Sequence, residues 1–290
     1  MWLIVPFYMG RKNLLPNTLT VRYQSQQNTA EAWSILRLPF EPKGWLIDLR
    51  NDLREAIHDL KNQPDQILCS IYGSQTDGYC DIENILLYNI GTAHFSSLTT
   101  TGLRFERCFS HPDSPYPLDH THLHYHQYTM ADINENFSYW QVGRLLAEWE
   151  NIKIPKLNSG VKTERIWHCI KSSPVRVLHK PEKALELFGL SITIMIPDNK
   201  KVNIANFTKQ VIDGIVSAFH VYQGQEIERV SQCLGTSLNE NSDTIADLLS
   251  QPHKAVLGAR QVVRTYRNYV KWDPADDRCL VLRSLNPLET

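Results

Sequence analysis

An α+β fold in two domains is what the sequence predicts, and three observations carry it. Apolar runs of strand length mix with amphipathic helical stretches without strict alternation, which favours sheets with packed helices over a doubly wound parallel sheet. The chain has 290 residues, more than one small domain needs and comfortable for two. A short polar stretch containing Pro and Gly, residues 153–163 (KIPKLNSGVKT), interrupts the pattern. The expected division is an acidic N-terminal domain over 1–152, a linker over 153–163 and a basic C-terminal domain over 164–290. Each domain is expected to hold a mixed sheet.

Residues 2–8 (WLIVPFY) read as a short buried strand, and 18–23 (TLTVRY) alternate as a second. Leu46, Leu49, Leu53, Ile57 and Leu60 recur at spacings of three and four, which predicts a helix over 45–60. Residues 67–72 (ILCSIY) read as a strand opening into a Gly73-Ser74 turn, and 103–109 as another. The proline-broken loop 111–119 is followed by an extended stretch over 120–128. Trp140, Val142, Leu145, Leu146 and Trp149 suggest a helix over 139–149. In the second half, 165–170 (RIWHCI), 175–177 and 190–197 (LSITIMIP) read as strands. Phe207, Val211, Ile215, Ala218 and Phe219 share a helical face over 206–222. Helices over 242–250 and 254–270 and a strand over 279–285 complete the series. A weak internal duplication relates 67–88 to 190–209: each reads strand, polar loop, Asn, apolar helical run.

Composition narrows the function classes. With 42% apolar residues and seven tryptophans, the chain has enough material for a packed core, which excludes global disorder. Thirty basic residues balance 31 acidic ones, so the whole surface does not coat nucleic acid or membrane. The halves differ, however. Residues 1–150 carry 11 Lys/Arg against 17 Asp/Glu, a net of −6, and 151–290 carry 19 against 14, a net of +5. Two domains with different partners, or two halves that dock on each other, would show this asymmetry. The six cysteines include no C-x-x-C pair, which argues against a cysteine-only zinc site. The apolar start lacks a basic lead, and no run reaches the length of a membrane span. A cytoplasmic protein with no membrane partner is expected.

Three clusters carry candidate chemistry. His120, His122, His124 and His126 alternate along the extended stretch, so all four share one face, with neighbours about 6.5–7 Å apart. Two or three can converge on a divalent ion, with His120, His122 and His124 the preferred set and Asp113, Asp119 or His111 completing it. Asp81, Glu83 and Asn84, with Asp77 just before them, sit where a strand gives way to a helical run. Such carboxylates can hold magnesium for phosphodiester cleavage, or Asp81 can simply cap the helix. On a helix over 254–270, Arg260, Arg264, Arg267 and Lys271 fall within an arc of about 60°. No acid interrupts residues 255–272. Such a ridge suits a phosphate backbone, which it would contact without reading sequence.

Residues 202–213 (VNIANFTKQVID) place Asn206, Lys209 and Asp213 at a spacing that resembles RusA-type Holliday-junction resolvases. The resemblance covers about a dozen residues and departs from the family at a key point. Asn203 stands where a metal-binding carboxylate is expected. The parallel stretch has Asp81 and Asn84, but Leu87 and Ile90-Gly91 where Lys and Asp belong. The resemblance therefore implies no working catalytic set at either copy.

The sequence thus predicts a protein that binds nucleic acid or another polyanion through a C-terminal arginine-rich helix, with Asp81 and Glu83 as the place for metal-assisted phosphodiester chemistry. The first rival is a non-catalytic subunit of a larger ribonucleoprotein or defence-type assembly, its basic helix docked on an acidic protein surface. The second is a metal-dependent small-molecule enzyme built on the His120–His126 strand. A divalent ion, Mg or Zn, is the cofactor these chemistries would take, and the sequence does not decide whether the chain is an enzyme.

Overall fold

In a computed structural model, residues 19–24, 28–110, 112–113, 122–154, 160–182, 187–195 and 202–286 are described. The strand expected over 2–8 and His120 lie outside these residues. The chain opens with strands β1 (Leu19–Gln24) and β2 (Thr29–Ser34), helix α1 (Trp45–His58) and β3 (Gln66–Ser74). A π-helical turn (Asn84–Tyr88), a 3₁₀ turn (Thr92–Phe95), β4 (Gly102–Cys108) and β5 (His124–Asp132) follow. Next come β6 (Ala147–Glu148), α2 (Thr163–Ser172), β7 (Arg176–Val177) and β8 (Phe188–Thr193). A 3₁₀ turn (Ile204–Asn206) leads into α3 (Thr208–Ala218), β9 (His220–Tyr222), α4 (Ile227–Leu238) and α5 (Ser242–Ser250). The last elements are β10 (Gly258–Arg260), β11 (Val263–Tyr266), β12 (Tyr269–Trp272), a 3₁₀ turn (Asp276–Arg278) and β13 (Cys279–Leu285). The fold is α+β, and no described helix is long and apolar enough to cross a membrane.

By contacts the chain forms two units, neither contiguous. One gathers residues 1–141, 189–206 and 279–290, the other 142–188 and 207–278. This differs from the single cut expected at 153–163. The first crossing falls at 141/142, and the chain then returns to the first unit twice. Strand pairing causes the return, because β13 lies antiparallel to β4 with Leu282 opposite Phe105.

The first unit is built on a seven-stranded sheet in the order β1-β2-β5-β3-β4-β13-β8. Strands β3 and β4 run parallel, while β1–β2, β2–β5, β3–β5 and β4–β13 are antiparallel. Residues Ile67–Ser74 of β3 are all buried, which is why that strand reads as a mostly apolar run rather than an alternating one. Trp33, Ile71, Cys108 and Tyr125 cluster on one face. Helix α1 buries Leu46, Leu49, Leu53, Ala56 and Ile57, the face its spacing predicted. Each buried Leu or Ile contributes about 1.5–3 kcal/mol.

The helix expected over 139–149 does not form; only the two-residue β6 appears there. The backbone is held open instead. Buried Glu106 accepts from Ser138 N (2.8 Å) and Tyr139 N (2.9 Å), and the Trp140 ring meets Phe109 edge-on at 6.0 Å. In the second unit, Val142 is left 85% exposed, so the apolar spacing there was no core stripe.

The second unit packs α2 against α3 and, among the described residues, carries two-stranded ribbons: β9–β10 parallel, β11–β12 and β6–β7 antiparallel. The stretch 165–170, read as a strand, lies in α2. Its buried Ile166, Trp167 and Ile170 form a helical stripe, and six residues are too few for periodicity to separate the two readings. Helix α4, which the sequence reading missed, buries Val230 and Leu234 and ends at left-handed Asn239. Asn241 then caps α5, accepting from Asp243 N at 2.7 Å.

The helix expected over 254–270 is replaced by β10, β11 and β12. Val262, Val263, Thr265, Tyr266, Tyr269 and Val270 are β-branched or aromatic residues that favour strands. Inward residues alternate along each strand, Val263 and Thr265 on β11 and Val270 and Trp272 on β12, whereas the spacing of three and four that Val256, Ala259, Val263 and Tyr266 share is coincidental.

Candidate functional site

The basic segment near the C-terminus is a tight hairpin. Its register pairs Val263 with Trp272, Arg264 with Lys271, Thr265 with Val270 and Tyr266 with Tyr269, leaving Arg267 and Asn268 as a two-residue loop. Alternation sends Val263, Thr265, Val270 and Trp272 to one face. There Val263 is fully buried, the Trp272 ring lies 5.7 Å from that of Trp167, and Thr265 Oγ1 donates to Glu226 Oε2 at 2.8 Å. Both strands pack beside α4, so the hairpin rests on a helix.

The opposite face carries Arg264, Tyr266, Tyr269 and Lys271, all exposed. The two tyrosines are 48% and 56% exposed, with ring centroids 5.3 Å apart and tilted by 57°. Arg267, at φ 55°, holds its guanidinium 5.6 Å from the Tyr266 ring centroid, within cation–π range. Among the described residues, no ion pair engages Arg264, Arg267 or Lys271.

The four-cation helical ridge is therefore corrected in both shape and membership. Arg264, Arg267 and Lys271 come together on a hairpin. Arg260 sits on β10, donating from Nε to Asp273 O at 3.3 Å, with Nη2 3.9 Å from Asp273 Oδ1. Sequence reasoning missed Tyr266 and Tyr269 as site residues. The signal was present in R-T-Y-R-N-Y-V-K, where aromatics interleave with cations, but a helical reading assigned Tyr266 to the core.

The histidine strand holds a different chemistry from the one expected. His124 and His126 of β5 are opposite Ser74 and Tyr72 of β3. Tyr72 Oη lies 2.5 Å from Asp77 Oδ2 and 2.9 Å from His124 Nδ1. The hydroxyl has one proton, and the shorter contact to a carboxylate takes it. His124 Nδ1–H then donates to the phenol oxygen. Burial, reinforced by Asp77, raises the Tyr72 pKa. Arg37, half exposed, reaches Asp77 Oδ2 at 3.5 Å.

His126 is fully buried, and burial lowers its pKa to about 3, with His124 adding to the effect. Its ring nitrogens have no hydrogen-bond partner among the described residues. His122 is also buried. Among the described residues, no group of three ligand atoms within 4.8 Å of one another includes a histidine. Of the set expected to bind metal, His120 lies outside the described residues, and His122 and His124 are both buried, with His124 Nδ1 2.9 Å from Tyr72 Oη.

Asp81 and Asn84 behave as a helix start. Ile85 N donates to Asp81 O at 3.3 Å, and Asn84 Nδ2 donates to Asp81 Oδ2 at 2.8 Å, a bond between two side chains one turn apart. Glu83 is buried. At the RusA-like positions, Lys209 and Asp213 sit one turn apart on α3. Lys209 Nζ lies 3.4 Å from Asp213 Oδ1 and 3.0 Å from Asp276 Oδ2. Burial raises the Asp213 pKa, Lys209 opposes the rise and Asp276 adds to it. Asn203, where a metal-binding carboxylate was expected, ties two turns together instead. Its amide donates to Thr92 O (3.0 Å), and its oxygen accepts from Thr99 Oγ1 (2.8 Å).

No protein-family pattern, no curated protein and no solved structure matches this chain.

Proposed function

We propose that the chain binds nucleic acid through the outward face of the β11–β12 hairpin. The observation that carries this reading is the set of three cations, Arg264, Arg267 and Lys271, exposed together without an acidic partner among the described residues. The arrangement works against the hairpin itself. Arg264 and Lys271 are direct cross-strand partners, and like charges placed opposite each other are destabilising. Arg267 occupies the first loop position at φ 55°, where two-residue hairpins favour glycine. A polyanion offsets the like-charge cost by neutralising the charges.

Contacts of this kind position a phosphate backbone and release its counterions, so affinity falls with salt. Three phosphate contacts on a single strand correspond to a log–log salt slope of about −2. Fluorescence anisotropy with labelled mixed-sequence oligonucleotides, between about 50 and 200 mM salt, measures it. Arg264→Glu with Lys271→Glu is expected to abolish most binding and to flatten the slope by more than half. Unchanged affinity and slope in the double variant would overturn the reading. The proposal is of binding and contains no cleavage step.

A further inference from the structure

We infer that the ligand of this hairpin is a single strand, two of whose bases stack on Tyr266 and Tyr269. The inference rests on the nucleic-acid reading above and specifies its substrate class. The two tyrosines lie on the same face as Arg264 and Lys271 and are cross-strand partners at the loop end of the ribbon. Both are about half exposed on a strand pair whose other face already supplies the packing, through Val263 and Trp272. Tyrosine carries a large apolar ring, and two such rings side by side in water form a surface that an aromatic ligand can cover.

The geometry selects an unpaired strand. A duplex keeps its base faces inside the stack and offers the protein backbone and groove edges only, so it cannot engage an aromatic face without unstacking. A single strand presents free π-faces, and sequence-tolerant binders combine aromatic platforms with a cationic track along the backbone. Here the platform and the track share one face. The ring centroids are 5.3 Å apart, more than the ~3.4 Å rise between stacked bases. Two bases seated on these rings are therefore splayed from each other. The 57° tilt means the rings are not closed face to face. Arg267 packs on Tyr266 and is placed to reach the phosphate beside a stacked base. Residues 261–272 contain no acid, so the charge of the ribbon complements a phosphodiester along its whole length.

The test uses the full chain with three probes: a labelled mixed-sequence 12-nucleotide single strand, the blunt duplex of the same sequence, and inorganic polyphosphate as a competitor with charges but no bases. The single strand is expected to bind at least about 10-fold tighter than duplex or polyphosphate. Tyr266→Ala with Tyr269→Ala is expected to erase that margin while leaving polyphosphate affinity unchanged, and Tyr266→Phe with Tyr269→Phe to retain it. The phenylalanine pair keeps the cross-strand ring contact, so it separates stacking from any loosening of the hairpin. Equal affinity for all three probes, or a preference for duplex, overturns the single-strand inference and leaves the cationic reading standing. Binding of every probe that is indifferent to Arg264→Glu with Lys271→Glu overturns both.

Discussion

At the scale of single residues, His126 and Lys171 are placed where water cannot reach them, and each has a consequence in pH. His126 has its pKa lowered from 6.5 to about 3, first by burial and then by His124. The unfolded chain therefore binds more protons than the folded one between those values, and stability is lost as pH falls from about 6.5 towards 3. His220, lowered to about 4 mainly by burial, acts in the same sense. Denaturant unfolding at several pH values is expected to show His126→Leu with a shallower acid loss than the parent, by a few kcal/mol at most. An identical pH profile would refute this assignment. Lys171 donates to His220 O at 2.9 Å, and burial, followed by repulsion from Lys254, lowers its pKa from 10.5 to about 8. Again the unfolded state holds the extra proton, now between about 8 and 10.5, so stability rises with pH through that window. Urea unfolding at pH 7.5, 9 and 10 is expected to show the stability difference between the parent and Lys171→Met shifting in the parent's favour as pH rises, and a constant difference would refute the assignment.

Among the elements, the hairpin and the α2–α3 pair show how local geometry sets both stability and function. Arg267 holds a left-handed backbone that costs an ordinary L-residue about 1–2 kcal/mol. Arg267→Gly is accordingly expected to raise the thermal midpoint by a few degrees while weakening oligonucleotide binding, since it removes a cation and the contact on Tyr266. A variant that loses both stability and binding would contradict the account. Gly214 marks the close approach of two helices: a Cβ there would stand 2.7 Å from Ile166 Cβ and 3.1 Å from Trp167 N. The backbone cannot yield as a side chain would, so Gly214→Ala is expected to cost about 1–3 kcal/mol in equilibrium unfolding. Legibility at this scale depended on length and context. Helix α1, with four of its five spaced apolar residues inside the helix, and strand β13 (Cys279–Leu285) were readable from the sequence. The stretch 165–170 was too short for its period to be decided, and 254–270 presented two periods at once.

For the whole molecule, the decisive fact is that the first unit is assembled from three separated segments. A fragment ending at residue 152, which a contiguous reading would treat as a domain, lacks β8 and β13 and leaves β4 without its antiparallel neighbour. Such a fragment is expected to show no cooperative unfolding transition by circular dichroism, because Leu103 and Phe105 of β4 lose the cover that buries them completely. A sharp transition in that fragment would argue against the discontinuous unit. The sequence by itself determined the α+β class, several core elements, the presence of a basic acid-free stretch and the placing of His124 and His126 on one strand face, since all of these follow from composition and short periodicities. Only the tertiary structure decided that the basic stretch is a hairpin, that two tyrosines join its cations, that Arg260 is drawn away to Asp273 and that His124 serves a Tyr72–Asp77 chain. The hairpin pairing is local, but its choice over a helix, and the partners of Arg260 and His124, depend on what covers each face, which a local pattern does not record.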